Sequence, residues 1–589
     1  MKKILPMNNF ICIIALTTGA ILFQSCGTDS EQENHNTTET LGGKNYGGSF
    51  RMNESEFFTS LYPHHITDDI SARVASHIYE GLLRFDPMDL SLQPSLASSI
   101  TIDQKGTLYH VTLKKGVKFH DNSCFTNGSG RELKASDVQY CFDELCKQTE
   151  HNIGYSQFKS LVKGAVEYHE MSKDHSEIAI HVSGIKVIND HELTIELLEP
   201  CSIFKQILAS PLCYIYPKEA FDKYGAEISL HAVGTGPFMM DATNETDFKT
   251  NSHLILRKNP NYHEKDDFGN QLPFLDQLEI TFLHDKKTEM ELFKKGEYQM
   301  VYRLPTEEII HLMDPENHEL DEFELEDVPE YSLHYIGFNN QSTLFSDLNL
   351  RKALTFAINK KTIVNKILNG EADEPANKGI TPLAFTNYPT EQIKGYYFNS
   401  DSAKHYFKKV KKPLKPIILH LSADGSRNTH VAEEIKLQLK RTLGIDITLN
   451  FLELPELESE IEHGEIDMFL LGHTSTYPNP QELIHSFYSV DSNLEPGENA
   501  FPNLTRYSNT NFDKHYRLAM SASDIETQTN YFIQCEQQII NDAAVIPLWY
   551  DEGYRLIQPY VKNLHLNPMQ YRDFREVYFE KAETIKEIQ

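Results

Sequence analysis

Between positions 331 and 370 the chain alternates and then changes period. Tyr331, Leu333 and Tyr335 fall on one side and Ser332, His334 and Ile336 on the other. A period of two marks a strand with one buried face. Ser346 or Asp347 then offers an N-cap, and Leu350, Leu354, Ala357 and Ile358 follow at helical spacing. Asn359 caps a second short helix through Ile363, Val364, Ile367 and Leu368, closed by Gly370. The same exchange of periods recurs elsewhere. Ile70, Val74 and Ile78 share a helix face, and a helix starts at Ala135 with Asp137 in its first turn, where the helix dipole favours an acid. Positions 185–188 and 191–197 read as a hairpin about Asn189–Asp190. Strands over 278–282, 417–421, 445–449 and 467–471 are interleaved with helices over 431–443 and up to Glu462. Such alternation builds mixed or parallel sheets flanked by helices.

The first residues follow another pattern. Lys2 and Lys3 precede an apolar run over 10–23, too short to span a membrane and of the length of a secretory signal. The run ends in Leu22-Phe-Gln-Ser-Cys26, which resembles a bacterial lipobox; the resemblance implies removal of residues 1–25 and lipidation of Cys26. Residues 26–45 are polar, acidic and glycine-containing, and read as a flexible tether between lipid and folded body. No later stretch approaches the roughly 20 apolar residues of a spanning helix.

Composition narrows the functional classes. A chain of 589 residues is too long for one core. The formal charge of −30 argues against nucleic acid, whose phosphates need clustered Lys and Arg. The chain contains no HExxH, GxSxG, Walker, EF-hand or CxxC pattern. No enzyme activity, metal or cofactor is expected. His64–His65 in a turn reads either as two partly exposed histidines or as a ligand or metal contact. Once Cys12 and Cys26 are set aside, Cys124, Cys141, Cys146, Cys201, Cys213 and Cys535 allow either disulfides, with Cys201/Cys213 the first pair to test, or buried thiols.

Several landmarks then fall in order: Tyr79-Glu-Gly-Leu82, Pro94-Ser-Leu-Ala97, Gly116-Val-Lys-Phe-His-Asp121, Ala135-Ser-Asp-Val138, Val233-Gly-Thr-Gly-Pro-Phe238, Arg257-Lys-Asn-Pro-Asn-Tyr262, the 331–370 stretch, and Ile546-Pro-Leu548. Together they resemble the extracytoplasmic solute-binding proteins of family 5, the dipeptide/oligopeptide class of ABC transporters. The two glycines around Thr235 suit a tight backbone passage. The resemblance implies an α/β, two-lobed periplasmic-binding-protein fold (class II, cluster C type) with mixed sheets flanked by helices and an extra subdomain in the first lobe. The expected division is lobe I over 46–305 with an inserted subdomain about 83–230, lobe II over 306–547, and a return to lobe I over 548–589, with the crossing near Arg303.

The same resemblance implies capture of a solute, an oligopeptide in the first reading, by closure of the lobes, and its delivery to the membrane subunits of an ABC permease. The protein is expected to be a monomer in the cell envelope, on the periplasmic side of a membrane or at the cell surface. Matched by position, Thr67, Asp68 and Asp69 would run beside the solute, Tyr155 and Asn259 would touch it from the first lobe, and Asn503, Trp549 and Tyr550 would line the site. The family's W-x-x-D-Y element, whose Asp holds a peptide α-amine, reads His473-Thr474-Ser475-Thr476-Tyr477 here. A hydroxyl cannot supply the charge of a carboxylate paired with an ammonium. Either Asp68 or Asp69 supplies the anion, or the solute lacks a free amino terminus, as an oligosaccharide, opine-like compound or metal chelate does. A surface lipoprotein without a transport role and a secreted hydrolase are the readings from other classes.

Overall fold

A computed structural model describes residues 38–149, 152, 154–173, 180–240, 253–304, 306–312, 314, 322–411, 415–423, 426–522 and 524–581. The signal segment and Cys26 lie outside these residues. Strand Ser49–Glu54 runs parallel to Gln277–Phe282, which continues antiparallel through His253–Lys258 to Phe238–Met240. Helix Asp69–Ile78 buries Val74, Ala75 and Ile78, the face set by its i, i+4 spacing. A Cβ at Gly234 would lie 2.1 Å from the Ile78 carbonyl oxygen, and one at Gly236 2.6 Å. Only glycine lets the 233–238 segment pass so close to the end of that helix. Beside this sheet, Ala97–Ile102, Leu108–Leu113, Glu192–Glu196 and Ile185–Asn189 form an antiparallel sheet backed by helix Ala135–Cys146. This is the extra subdomain, and the 185–196 hairpin turns where Asn189–Asp190 implied.

The second lobe is organised on a seven-stranded sheet in which Met300–Tyr302, Val545–Ile557, Glu324–Phe338, Met468–Thr474, Ile418–Ser422 and Thr448–Leu452 are successive neighbours, with Ala372–Pro375 on the Val545–Ile557 strand. Ile418–Ser422 is parallel to the strands on either side of it. The other pairings are antiparallel, so the sheet is mixed. Helix Ser426–Leu443 covers it with Val431, Ile435 and Leu439 buried. The expected boundary at 547/548 falls inside strand Val545–Ile557, which continues without a break.

The stretch over 331–370 folds as strand, helix and short helix with the caps expected, and with two differences of detail. Asp347 caps helix Leu348–Ala357, and Asn359 accepts from the Thr362 amide at 3.2 Å. The second helix, Lys360–Thr362, widens into a π-helical turn over Ile363–Leu368, ending at Asn369 and Gly370 with positive φ. The strand is not buried on one face alone: Ser332 is 1 % exposed and His334 is largely covered. Their polarity signalled an interior ion network instead of solvent.

Two other expectations are corrected, and one open alternative is decided. The tether does not extend to Asn45, because Thr38–Glu39 pairs with Asn45–Tyr46 across a turn held by Gly42 and Gly43, and the Asn45 side chain donates to Phe579 O at 3.0 Å. His64 is buried, not partly exposed, and burial lowers its pKa to about 3. All six cysteines among the described residues are free thiols, Cys201 and Cys213 included. Burial pushes both of those thiols up to about 12.

Candidate functional site

Between the lobes lies a cleft of about 1090 Å³. The first lobe contributes the strand end at Asn53 and Glu54 and the start of helix Asp69–Ile78; the second contributes Leu454, Glu458 and Glu462 from helix Leu454–Glu462 and the Leu470–Thr474 strand end. The crossing strands supply Arg303 and His334. Contacts also join the two sides directly. Ser160 Oγ donates to Asp491 Oδ1, while Asp491 Oδ2 meets His485 Nε2 at 3.0 Å. Lys159 Nζ donates to Val490 O at 2.8 Å, and Gln528 Nε2 to Ser202 Oγ at 2.6 Å. Phe158 packs in the first lobe's core and Ile484 in the second's, so these bonds tie separate cores together. A hydrogen bond to a charged acceptor contributes roughly 1.5–3 kcal/mol. Ser160→Ala, which leaves the Asp491–His485 pair intact, is therefore expected to raise the solute dissociation rate about tenfold. Stopped-flow displacement reads it, and an unchanged rate would show that the bond does not hold the lobes together.

A charged network closes the base of the cleft. Asp551 is fully buried and accepts from Arg303 Nη1 (3.1 Å), His334 Nε2 (2.8 Å), Ser332 Oγ (3.0 Å), Trp549 Nε1 (2.8 Å) and Arg427 Nη2. Burial alone would raise its pKa, but Arg427, His334 and Arg303 together hold it well below the usual carboxylate range. Glu330 accepts from Tyr302 OH (2.6 Å), Arg303 Nη2 (2.9 Å) and Gln570 Nε2 (2.7 Å). Glu54 binds Arg73 and Arg572, whose charges overcome burial and bring its pKa to about 2. The register of Glu324–Phe338 against Val545–Ile557 slips between Pro329 and Leu333; such bulges re-aim side chains, and Glu330 stands in this one. Arg303, with φ +58, bridges both acids at the crossing.

The expected site residues separate into two groups. Thr67, Asp68, Asp69, His473 and Thr474 line the cleft. Asp68 is largely occupied as a helix cap, accepting from Ser71 N at 2.8 Å, Ser71 Oγ at 2.6 Å and Thr59 Oγ1. Tyr155, Asn259, Asn503, Trp549 and Tyr550 are not among the lining residues. Tyr155 stacks on His169 with ring centroids 3.6 Å apart. Asn259 donates to Gly236 O at 2.9 Å, and Asn503 to Tyr507 O at 2.8 Å, each holding its own turn. Trp549 is sealed between His334, on which it stacks, and Asp551. The Tyr550 hydroxyl donates to Gly379 O at 2.9 Å. Backbone carbonyls take up the polar atoms of Asn259, Asn503 and Tyr550, and the Asp551 carboxylate takes the Trp549 indole N–H.

Thr476 is where the structure adds most. Its Oγ1 and its amide both donate to Glu482, at 2.8 Å each, and the Tyr477 amide adds a third bond at 3.3 Å. Glu482 lines the cleft with 11 % of its side chain exposed, and His473 Nε2 lies 3.8 Å from its Oε1. Burial raises the Glu482 pKa, against the opposing pull of His473 and the three donors. A carboxylate is thus present beside position 476, carried on the next helix, Gln481–His485, instead of on residue 476 itself. The acid in the first turn after Pro480 was visible in the sequence; its reach back across six residues was not. Also lining the cleft from the second lobe, Glu458 is pushed up to about 8 by burial and then by Asp68, Glu462, Asp69 and Glu56. No group of three or more His, Cys, Asp or Glu that could hold a metal occurs among the described residues, and no helix among them is long and apolar enough to cross a membrane.

Comparison with known proteins agrees with this architecture. Residues 91–494 match the model of bacterial extracellular solute-binding proteins, family 5. The chain is 25% identical over 513 residues to the glutathione-binding protein GsiB of Salmonella choleraesuis, covering 86% of this chain and 89% of that one. Among solved structures it resembles the periplasmic binding protein DppA of Helicobacter pylori in complex with the peptide STSA (TM-score 0.77, 21% identity, 91% and 99% covered). It also resembles the oligopeptide-binding protein AppA of Bacillus subtilis with a nonapeptide (TM-score 0.74, 21% identity, 91% and 99% covered). These relatives are binding proteins, not enzymes. The chain belongs to family 5 of the bacterial extracellular solute-binding proteins.

Proposed function

We propose that this protein captures short peptides with a free amino terminus between its lobes and delivers them to an ABC-type permease, held to a membrane through a lipid on Cys26. The observation that carries the peptide reading is the Glu482 carboxylate at the cleft wall, fixed by Thr476 and Tyr477. Three of its acceptor positions are used by neutral donors, and the remaining one can accept from an ammonium in a charge-assisted bond. The missing Asp at 476 therefore does not remove the anion from this corner of the site. Relatives whose names or titles state a peptide or glutathione as ligand support the same class.

Calorimetry tests the reading with a tripeptide, its N-acetylated form and glutathione. Acetylation is expected to weaken binding by at least tenfold, since it leaves Glu482 desolvated without a cation. Glu482→Gln is expected to weaken the free peptide and to abolish the discrimination. Equal affinity of the wild type for free and acetylated peptide would sink the amine clamp. The similarity to GsiB makes glutathione, which also carries a free α-amine, the second ligand to titrate. For the anchor, Cys26→Ser is expected to move the protein from the membrane to the soluble fraction.

A further inference from the structure

From Ser402 to Ala423 the chain carries six lysines and no Asp or Glu, in a protein whose 85 acids outnumber its 55 Lys and Arg. Lys404, Lys408, Lys409, Lys411 and Lys415 are all exposed, and among the described residues none of them has a carboxylate within ion-pair distance. The fold gathers them with other groups. Helix Ser400–Phe407 lies against helix Leu348–Ala357: Phe356 stacks on Tyr406 with ring centroids 5.7 Å apart, and the Asn399 amide donates to Phe356 O at 2.9 Å. That packing brings Lys352 Nζ to 5.6 Å and Lys409 Nζ to 5.2 Å from the centre of the Tyr406 ring. Lys415 Nζ donates to Thr343 Oγ1 at 3.2 Å, just ahead of helix Leu348–Ala357. Before the other helix, Tyr397 and Phe398 are 59 % and 45 % exposed. The acids on or capping the two helices are Asp401 and Asp347 alone. None of these lysines or aromatics lines the cleft, so peptide capture leaves this face unused.

We propose that this face docks on the anionic lipid headgroups of the membrane to which the Cys26 lipid holds the protein. The proposal rests on the anchored reading above and gives the anchored body an orientation. Clusters of roughly four to eight lysines are drawn to anionic bilayers, and exposed aromatic rings such as that of Tyr397 favour the headgroup level. A protein partner fits the face less well, because lysine is depleted where proteins meet. The net charge of −30 does not cancel the attraction, since exposed charges more than about 10 Å from the contact are largely screened at ordinary salt. Residues 26–37 span at most roughly 40 Å when fully extended. The anchor therefore holds the body close to the bilayer and makes contact an intramolecular step.

The test places the mature protein in vesicles of phosphatidylcholine, or of equal parts phosphatidylcholine and phosphatidylglycerol, each carrying phosphatidylcholine brominated near the headgroup as quencher. Phe398→Trp supplies the reporter; the sole native tryptophan, Trp549, is fully buried and gives the background. Each lysine near an anionic surface raises the contact equilibrium roughly fivefold. Quenching of the added indole is therefore expected in the anionic vesicles alone, and is lost at about 1 M salt, where the screening length falls to about 3 Å. Lys404→Gln, Lys408→Gln, Lys409→Gln and Lys411→Gln together are expected to return it to the level of the neutral vesicles, with peptide affinity unchanged. Quenching that is equal in the two sets, or that survives removal of the four charges, would overturn the inference. So would its absence from both sets while the protein sediments with the vesicles, and in each of these cases the anchor stands. Protein that does not sediment with neutral vesicles would overturn the anchor; quenching in the anionic set would then still uphold the basic face, and its absence there would overturn both.

Discussion

Asp551→Asn is expected to lower the protein's stability by about 3 kcal/mol, at the lower end of what breaking a buried charge pair costs. The carboxylate is the common acceptor for Arg303, Arg427, His334, Ser332 and Trp549. An asparagine of the same shape offers one oxygen and turns an NH₂ toward groups that are themselves donors. Arg303 retains Glu330 at 2.9 Å and Arg427 retains Glu371 at 3.2 Å, which keeps the loss from reaching the upper end. The damage spreads because the five donors come from strands Glu324–Phe338 and Val545–Ile557, from the end of Met300–Tyr302 and from helix Ser426–Leu443. These include the three strands at the crossing between lobes. Trp549 is the sole tryptophan and donates to Asp551, so its fluorescence reports the network directly. The variant should show altered native emission and a lower urea midpoint. A midpoint shift worth under about 1 kcal/mol, no more than one ordinary hydrogen bond, would show that Asp551 is not the hub of this network.

The second large effect concerns Lys360, which is 4 % exposed and donates to Ala376 O at 2.7 Å. Burial lowers its pKa from 10.5 to about 7. Below pH 7 the ammonium is charged in both folded and unfolded states, and the fold bears the whole cost of burying it. Between pH 7 and 10.5 the unfolded chain binds more protons than the folded one, so this residue's contribution to stability rises with pH through that window. Lys360→Met, similar in length and without charge, should therefore stabilise the protein most at pH 6 and least at pH 10. At 1.36 kcal/mol per unit, the difference between those two pH values approaches roughly 4 kcal/mol. The lost bond to Ala376 O subtracts about 1 kcal/mol at every pH and leaves the difference untouched. Urea midpoints of wild type and variant at pH 6, 8 and 10 give the comparison, with other titrating groups cancelling between the two proteins. A pH-independent gap would mean that Lys360 titrates normally.

Local chemistry made much of the fold legible. Helix caps at Asp347 and Asn359 act within three residues along the chain, so spacing alone reveals them. The 185–196 hairpin and the glycines flanking Thr235 are of the same kind. Burial of His64 and the doubly covered strand at Ser332 and His334 were not legible, because a polar residue at a turn or in an alternating strand looks solvent-facing until a distant partner is placed against it. For His334 that partner is Asp551, 217 positions away.

Legible before folding were the family, the order of strands and helices, and the point at which His473–Thr476 differs from the family's W-x-x-D-Y element. Each depends on residue identity and short spacing, which are properties of the chain before it folds. What that difference does to the cleft emerged from contacts made on folding. Thr476 does not leave this corner of the cleft without a carboxylate, because Glu482 folds back onto it. Glu482 reaches back only six residues to Thr476, but their place on the cleft depends on strand Met468–Thr474 lying against Glu324–Phe338, a pairing that no local pattern encodes.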